Sequence, residues 1–585
     1  MSTRQNLIIV VAMLLSFLLC LLGIKFGLPK KQQTELVFSD QKELEILSPF
    51  LEARRDEIYK HYLTQGPIHI LHNVIPKGNE VVLNLDGKEV TVSTKKLDAL
   101  RTYLLHSQFS DEQVVLKAVS QINWRNLDFN PRFFIYGGHY LYFIGTTLKI
   151  GSMLGLNKIS SDIKYYFHHP NEVAKLFIIP KACTIIFFIF SIPIFFLACK
   201  ICYDDETALL GAIIYAFIPI IIVYSHFLKP HVFVLPFVVT SILFANKLLT
   251  TNEKKWYFLT GLFAGFATGG FYYAGIIILY GLTAHILKVF SYKDVHIKEK
   301  IKFCFNKNIF LFVIAILVGF FIANPYWILC PKQPILDIKF ISSGLSIFSP
   351  SFHNLKVYLF DILPNGLGWP LWMFVVLGIA FAFYKRSKVD IMCLSCIIPL
   401  GFYAISANPD FWLCNLHLST PIIPLLVLLA ARLLRELFLS GRRYWLKTIP
   451  IVFVVVWTFF NSLYYSIIFI YGDNKLKAGK WINENIRPGS TIGGKNQLFS
   501  DCGGYPPFYQ LRYNTVDGPP LEKMPDFYIT IGQEEETTTS QFQNVFEVEK
   551  RFTRVPWFLD KVYKNYLIPF VDIDVVIYKK INVNN

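Results

Sequence analysis

The feature that most constrains this chain is a succession of apolar runs long enough to cross a bilayer, separated by short polar stretches. Runs at 6–28, 176–200, 208–224, 230–249, 256–272, 273–290, 309–328, 369–384, 390–407, 420–438 and 447–470 make about eleven candidate spans. Backbone groups in hydrocarbon have no water to bind, so each run must close its own hydrogen bonds as a helix. The expected fold is a polytopic α-helical membrane protein with a large first extracytoplasmic loop and a small α/β extracytoplasmic domain at the C-terminus. Its divisions are a first transmembrane helix (1–28), an extracytoplasmic loop with juxtamembrane segments (29–175), a transmembrane core (176–470) and a soluble domain (471–585). Composition agrees, because 53% hydrophobic and 16% aromatic residues over 585 positions exclude a water-soluble chain. The run after Arg4 has no small-residue cleavage site and reads as an uncleaved helix rather than a signal peptide.

Basic clusters set the orientation. Lys247, Lys254 and Lys255, the six lysines of 288–307, the Lys385–Arg386–Lys388 group, and Arg432, Arg435, Arg442, Arg443 and Lys447 all fall on one side if one segment does not span. That segment is FFIYGGHYLYFIGTTLKIGSMLGL at 133–156, which is long enough to cross but carries five glycines, His139 and Lys149. The positive-inside rule favours a surface-lying or re-entrant segment, with the N-terminus cytoplasmic and residues 29–175 and 471–585 outside a plasma (inner) membrane. The net charge of +16 lies in these clusters and suits anionic lipid rather than nucleic acid. Two C-x-x-C pairs, Cys199/Cys202 and Cys393/Cys396, sit in or beside apolar runs and read as packing residues rather than metal or redox groups.

Outside the spans, VVLNLDGKEVTVS alternates apolar and polar residues around Asp86-Gly87, which predicts a β-hairpin with a tight turn. The tail combines a helical stretch (LKAGKWINENI), a Pro-Gly turn at 488–489 and strand-like DFYITIG and DVVIYKK.

Two constellations could carry chemistry. In the first loop, Asp111 and Glu112 open a helical stretch followed by Asn130-Pro131-Arg132-Phe133-Phe134-Ile135-Tyr136-Gly137-Gly138. A carboxylate there could act as a general base, or Ser110-Asp111-Glu112 could simply cap the helix. The second is Tyr224-Ser225-His226-Phe227-Leu228-Lys229-Pro230-His231, where an apolar run meets the outer surface. Two imidazoles and an ammonium beside a helix end are costly unless paired or wetted, and a bound anion is a natural partner, whereas a lone lysine would snorkel. His417, before a Pro-rich run, reads alone as an interfacial histidine.

At these residues the chain resembles the polyprenyl-phosphate-dependent glycosyltransferases of the C superfamily, the group of the protein O-mannosyltransferases and the lipid A aminoarabinose transferase. The resemblance covers roughly residues 100–440 and rests on the order DE, NP-x-FF-x-YGG, H-x-x-KPH, with a weaker likeness in KAGKWINENIRPGS. It implies Asp111 as catalytic base with Glu112 beside it, Asp40 in LVFSDQKE being the second-choice acid. It implies donor-phosphate or substrate binding by Lys229, His226, His231, Arg132, Tyr136, His139 and His417. His231 stands where relatives often have a second carboxylate, and His417 where they often have an arginine, so a metal held between two carboxylates is not implied. The expected partners are a polyprenyl-phosphate-linked sugar, an extracytoplasmic acceptor and membrane lipid, with no nucleic acid. No cofactor is required, and a divalent metal stays an open alternative. A transporter or flippase of lipid-linked saccharide is the rival, and it would place polar residues along the middles of several spans.

Overall fold

The computed structural model describes residues 3–65, 80–85, 88–251, 253–292, 295–344, 351–406, 419–439, 448–471, 473–494, 506–518, 522, 524–531, 537, 539–553 and 574–581. Among them, six helices are long and apolar enough to cross a bilayer: Thr3–Leu21, Pro170–Cys202, Pro230–Thr250, Tyr272–Phe290, Ile297–Ala323 and Ile449–Tyr471. Two further pairs pass the same test only together and are bent, Asp205–Ala216 with Pro219–Ser225 by 44° and Phe352–Leu367 with Trp369–Lys385 by 120°. The chain is thus a multi-pass membrane protein with six to eight such spans among the described residues, where the apolar runs predict about eleven. Three more of those runs form the helices Lys254–Gly270, Lys388–Ser406 and Ile423–Leu434. The first helix ends earlier than its apolar run, because Gly23 and Gly27 turn the chain at φ +79° and +68°. The 208–224 run breaks before Pro219, whose ring suits a helix start but not a helix interior. The ambiguous 133–156 segment yields a helix of 16 residues, Gly138–Met153, shorter than the roughly 20 residues a span requires.

The described residues fall into two compact units. The first comprises 1–22, 121–145 and 181–466 and holds most of the apolar helices. Its closest helix pair is Lys254–Gly270 against Lys307–Ala323. A Cβ at Gly261 or Gly265 would lie 2.4 Å from the Phe312 carbonyl oxygen or 2.3 Å from that of Ile316, and one at Gly319 would lie 2.4 Å from that of Leu262. Between helices in a membrane little hydrophobic force remains, so backbone approach through small residues supplies the packing energy. That approach brings the two helix ends together. Beyond them Asn324 donates from Nδ2 to the Gly269 carbonyl (3.1 Å) and accepts at Oδ1 the N–H of Gly138 (2.7 Å).

The second unit comprises 23–120, 146–180 and 467–585. The expected hairpin is present, with β1 (Val81–Leu85) antiparallel to β2 (Lys88–Val92) and Leu85 opposite Lys88; its Asp86-Gly87 turn lies outside the described residues. The tail folds into a five-stranded sheet of β3 (Thr491–Gly494), β4 (Asn514–Asp517), β5 (Phe527–Ile531), β6 (Phe546–Phe552) and β7 (Val575–Lys580), in the order β4-β3-β5-β7-β6. β3 runs parallel to β4 and β5, while β7 is antiparallel to β5 and β6. Gly489, after Pro488, takes φ +87° and its N–H closes on the Arg512 carbonyl (2.8 Å).

The sheet's core is shared with the first loop. Ile482, Ile492, Ile529, Val575 and Ile577 of the tail lie in one buried cluster with Val37, Leu47, Leu51, Leu97 and Leu100. Polar contacts repeat the link: Tyr103 donates to the Pro506 carbonyl (2.9 Å), and Lys96 to that of Tyr513 (2.9 Å). Arg54 and Asp98, both buried, pair at 2.9 Å within the loop part of this unit. Burial alone makes such a pair costly, and its several aligned contacts offset that.

Candidate functional site

The acidic constellation belongs to the second unit. Asp111 and Glu112 fill the first turn of the helix Ser110–Ser120, where carboxylates complement the helix dipole. Glu112 is fully buried. The entry to this helix is fixed by its neighbours: the Gln108 N–H donates to the Gly27 carbonyl (2.7 Å), Phe109 packs on Phe26 at 6.0 Å, and Gln113 donates to the Ser107 carbonyl (2.9 Å). Asp40, the second-choice acid, accepts the Glu43 N–H (2.8 Å) at the start of the helix Gln41–Gln65. Its carboxylate therefore serves as a helix cap.

The other predicted residues that the structure describes belong to the first unit, and the structure brings two of the motifs together there. Tyr136 lies 6.4 Å from Tyr140, which lies 5.5 Å from Phe233 just after the K-P-H turn. His139 packs its ring on Phe233 (5.0 Å), Phe237 (4.7 Å) and Phe266 (5.4 Å). His231, 2% exposed, stacks on Tyr224 at 4.9 Å and faces Phe271 at 4.7 Å. Lys229 takes an extended backbone (φ −133°, ψ 149°), as a residue before proline must, and Pro230 opens a short helix. Its side chain is largely buried. The His226 ring nitrogens face two backbone carbonyls, those of Ile222 (Nδ1, 2.8 Å) and Leu22 (Nε2, 2.7 Å), so this histidine fastens the end of the first helix.

Arg132 is engaged within its own loop. Its guanidinium pairs with Asp128 at 2.5 Å and donates to the carbonyls of Gln121 (3.3 Å) and Asn130 (3.2 Å). Its backbone sits at φ +49°, a region that strains non-glycine residues and that these contacts hold in place. The same guanidinium, with the Asn130 N–H, keeps the Asp128 carboxyl below the usual range. The Tyr-Gly-Gly step has a packing cause: a Cβ on Gly137 would lie 1.9 Å from the Gly269 carbonyl oxygen. His417 lies outside the described residues.

Two residues of this neighbourhood carry little sequence signal. Lys181, fully buried on the long helix Pro170–Cys202, is near enough to His226 for their charges to interact. A lone lysine in an apolar helix is the only local hint of it. Asp337, 1% exposed on the helix Lys332–Gly344, accepts the Phe134 N–H at 2.7 Å, and burial raises its carboxyl to about 6. Among the described residues no group of three or more His, Cys, Asp or Glu is arranged to hold a metal ion.

Comparison with known proteins bears on the membrane core. Residues 178–318 match the profile of the family described as dolichyl-phosphate-mannose-protein mannosyltransferase. None of the curated proteins compared with the chain matches it. Among solved structures, ArnT from Cupriavidus metallidurans bound to undecaprenyl phosphate aligns at 11% identity over 98% of this chain and 97% of that one, with a TM-score of 0.40. The Archaeoglobus fulgidus oligosaccharyltransferase complex with zinc and sulfate aligns at 12% identity over 66% of this chain, with a TM-score of 0.35; the chain spans only 54% of that protein's length. The archaeal oligosaccharyltransferase AglB from the same organism, in complex with an inhibitory peptide and a dolichol-phosphate, aligns at 10% identity over 70% of this chain and 60% of that one, with a TM-score of 0.39.

Proposed function

We propose, from the mannosyltransferase-family match of residues 178–318, that the chain is a membrane glycosyltransferase moving a sugar from a polyprenyl-phosphate carrier to an acceptor outside the cytoplasm. The observation that carries this reading is the shared aromatic cluster of the NP-x-FF-x-YGG and H-x-x-KPH motifs, Tyr136 through Tyr140 to Phe233. It sets aromatic faces beside the Lys229-Pro230 turn, and aromatic faces next to basic residues suit the phosphate and first sugar of an interfacial lipid.

In this mechanism Asp111 takes the proton from the acceptor hydroxyl as that oxygen attacks the anomeric carbon. The bond from that carbon to the phosphate oxygen breaks on the opposite face, so the configuration inverts. Lys229, with Arg132 and His231, stabilises the departing phosphate, while Glu112 supports Asp111. Tyr136 and His139 line the sugar and lipid approach. No nucleotide is involved, because the carrier brings an activated phosphate ester.

Asp111→Asn removes the base and keeps the shape. It is expected to lower transfer from the lipid donor by at least about a hundredfold, the usual contribution of a positioned base. The measurement is mass spectrometry of envelope glycans and lipid-linked sugars in cells carrying either form. Full transfer by the variant would remove Asp111 from this role.

A further inference from the structure

The loop that carries Arg132 and Tyr136 is held along its length by one neighbouring stretch. The Phe129 N–H donates to the Tyr326 hydroxyl (3.1 Å), Asn130 Nδ2 to Gln333 Oε1 (3.0 Å), the Phe134 N–H to Asp337 Oδ2 (2.7 Å) and the Gly138 N–H to Asn324 Oδ1 (2.7 Å). Tyr272 closes the other side by donating to the Phe134 carbonyl (2.8 Å). Residues 324–337, which follow the span Ile297–Ala323, thus form a clamp on 129–138. Two of its rungs are buried, Asn324 and Asp337, and Asp337 is the charged one. A carboxylate is a strong acceptor for an N–H, and an aspartate kept almost wholly out of water is costly unless the contact it makes is needed. The second oxygen, Oδ1, has no protein partner among the described residues, so the Phe134 N–H is the contact this side chain supplies.

We infer that Asp337 is a positioning residue, which acts through the Phe134 amide to hold the 129–138 loop in the conformation that presents Arg132 and Tyr136 to a polyprenyl phosphate. The inference rests on the glycosyltransferase reading for its ligand and on geometry alone for the clamp.

The test uses the full chain in lipid nanodiscs, with undecaprenyl phosphate as the probe. Hydrogen exchange is followed over 129–138, and probe affinity is measured in parallel. Asp337→Ala should speed exchange in this loop and weaken probe binding about three- to tenfold, as expected for one buried hydrogen bond. Asp337→Asn, whose amide oxygen still accepts the Phe134 N–H, should stay near the parent in both. The clamp is overturned if exchange in Asp337→Ala is unchanged, or if Asp337→Asn is as impaired as Asp337→Ala. Should the alanine variant not fold, Gln333→Ala removes a half-buried rung and must raise exchange at Asn130; no change there also overturns the clamp. If the parent protein does not bind the probe, the donor reading falls while the exchange data still decide the clamp.

Discussion

Asp337 makes a residue-level prediction with a definite sign. Its carboxyl titrates at about 6 in the folded chain, against about 3.9 for an unperturbed aspartate. A raised acid means that the native state binds its proton more tightly. Stability from this site is therefore full below pH ~4, falls as pH rises through about 6 and is flat above. Asp337→Asn removes that slope, so its Tm should match the parent near pH 4 and exceed it at pH 7.5. Thermal unfolding in nanodiscs at the two pH values measures this, and an equal gap at both would speak against a raised carboxyl. At Lys229 the expectation concerns binding. Lys229→Ala should weaken undecaprenyl phosphate binding about ten- to a hundredfold, the range for a hydrogen bond to a charged group, and Lys229→Arg should retain part of it.

At the scale of elements, the helix pair Lys254–Gly270 and Lys307–Ala323 depends on backbone contact. Gly265→Leu must drive a side chain into the Ile316 carbonyl, and a loss of more than about 2 kcal/mol is expected from overpacking. Denaturant or thermal unfolding would show it, and an unchanged midpoint would mean that the helices separate freely. How much of this was readable in the sequence varied with how local each cause is. The β1–β2 hairpin and the strands β5 and β7 announce themselves, because period-two alternation and Asp-Gly or Pro-Gly turns are local chemistry. The apolar runs are equally plain, but where helices stop is not: Gly23, Gly27 and Pro219 shortened or split two of them. Around the candidate site, the aromatic contact between Tyr140 and Phe233 follows from the order of the motifs only once the helices are assembled. The roles of Gly137 and Asp337 were hidden, because each is set by a partner distant in sequence, Gly269 for the first and Phe134 for the second.

At the scale of the whole molecule, the tail sheet is not a detachable module. Val37, Leu47, Leu51, Leu97 and Leu100 find their apolar partners in Ile482, Ile492, Ile529, Val575 and Ile577. Ending the chain after Tyr471 would uncover these five loop residues, each otherwise worth about 1.5–3 kcal/mol of burial. Such a truncation should make residues 29–105 sensitive to limited proteolysis, with the apolar helices still inserted; a loop as resistant as in the full chain would show that it folds alone.

The same shared core has a temporal side. The ribosome releases residues 37–104 long before it makes the strands that cover them. At about 5–20 residues per second the wait lasts on the order of tens of seconds, during which a stretch of leucines and valines stands uncovered. Biogenesis of this protein should therefore lean on a holding chaperone on whichever side of the membrane this segment emerges, and slowing translation late in the message should lengthen that dependence.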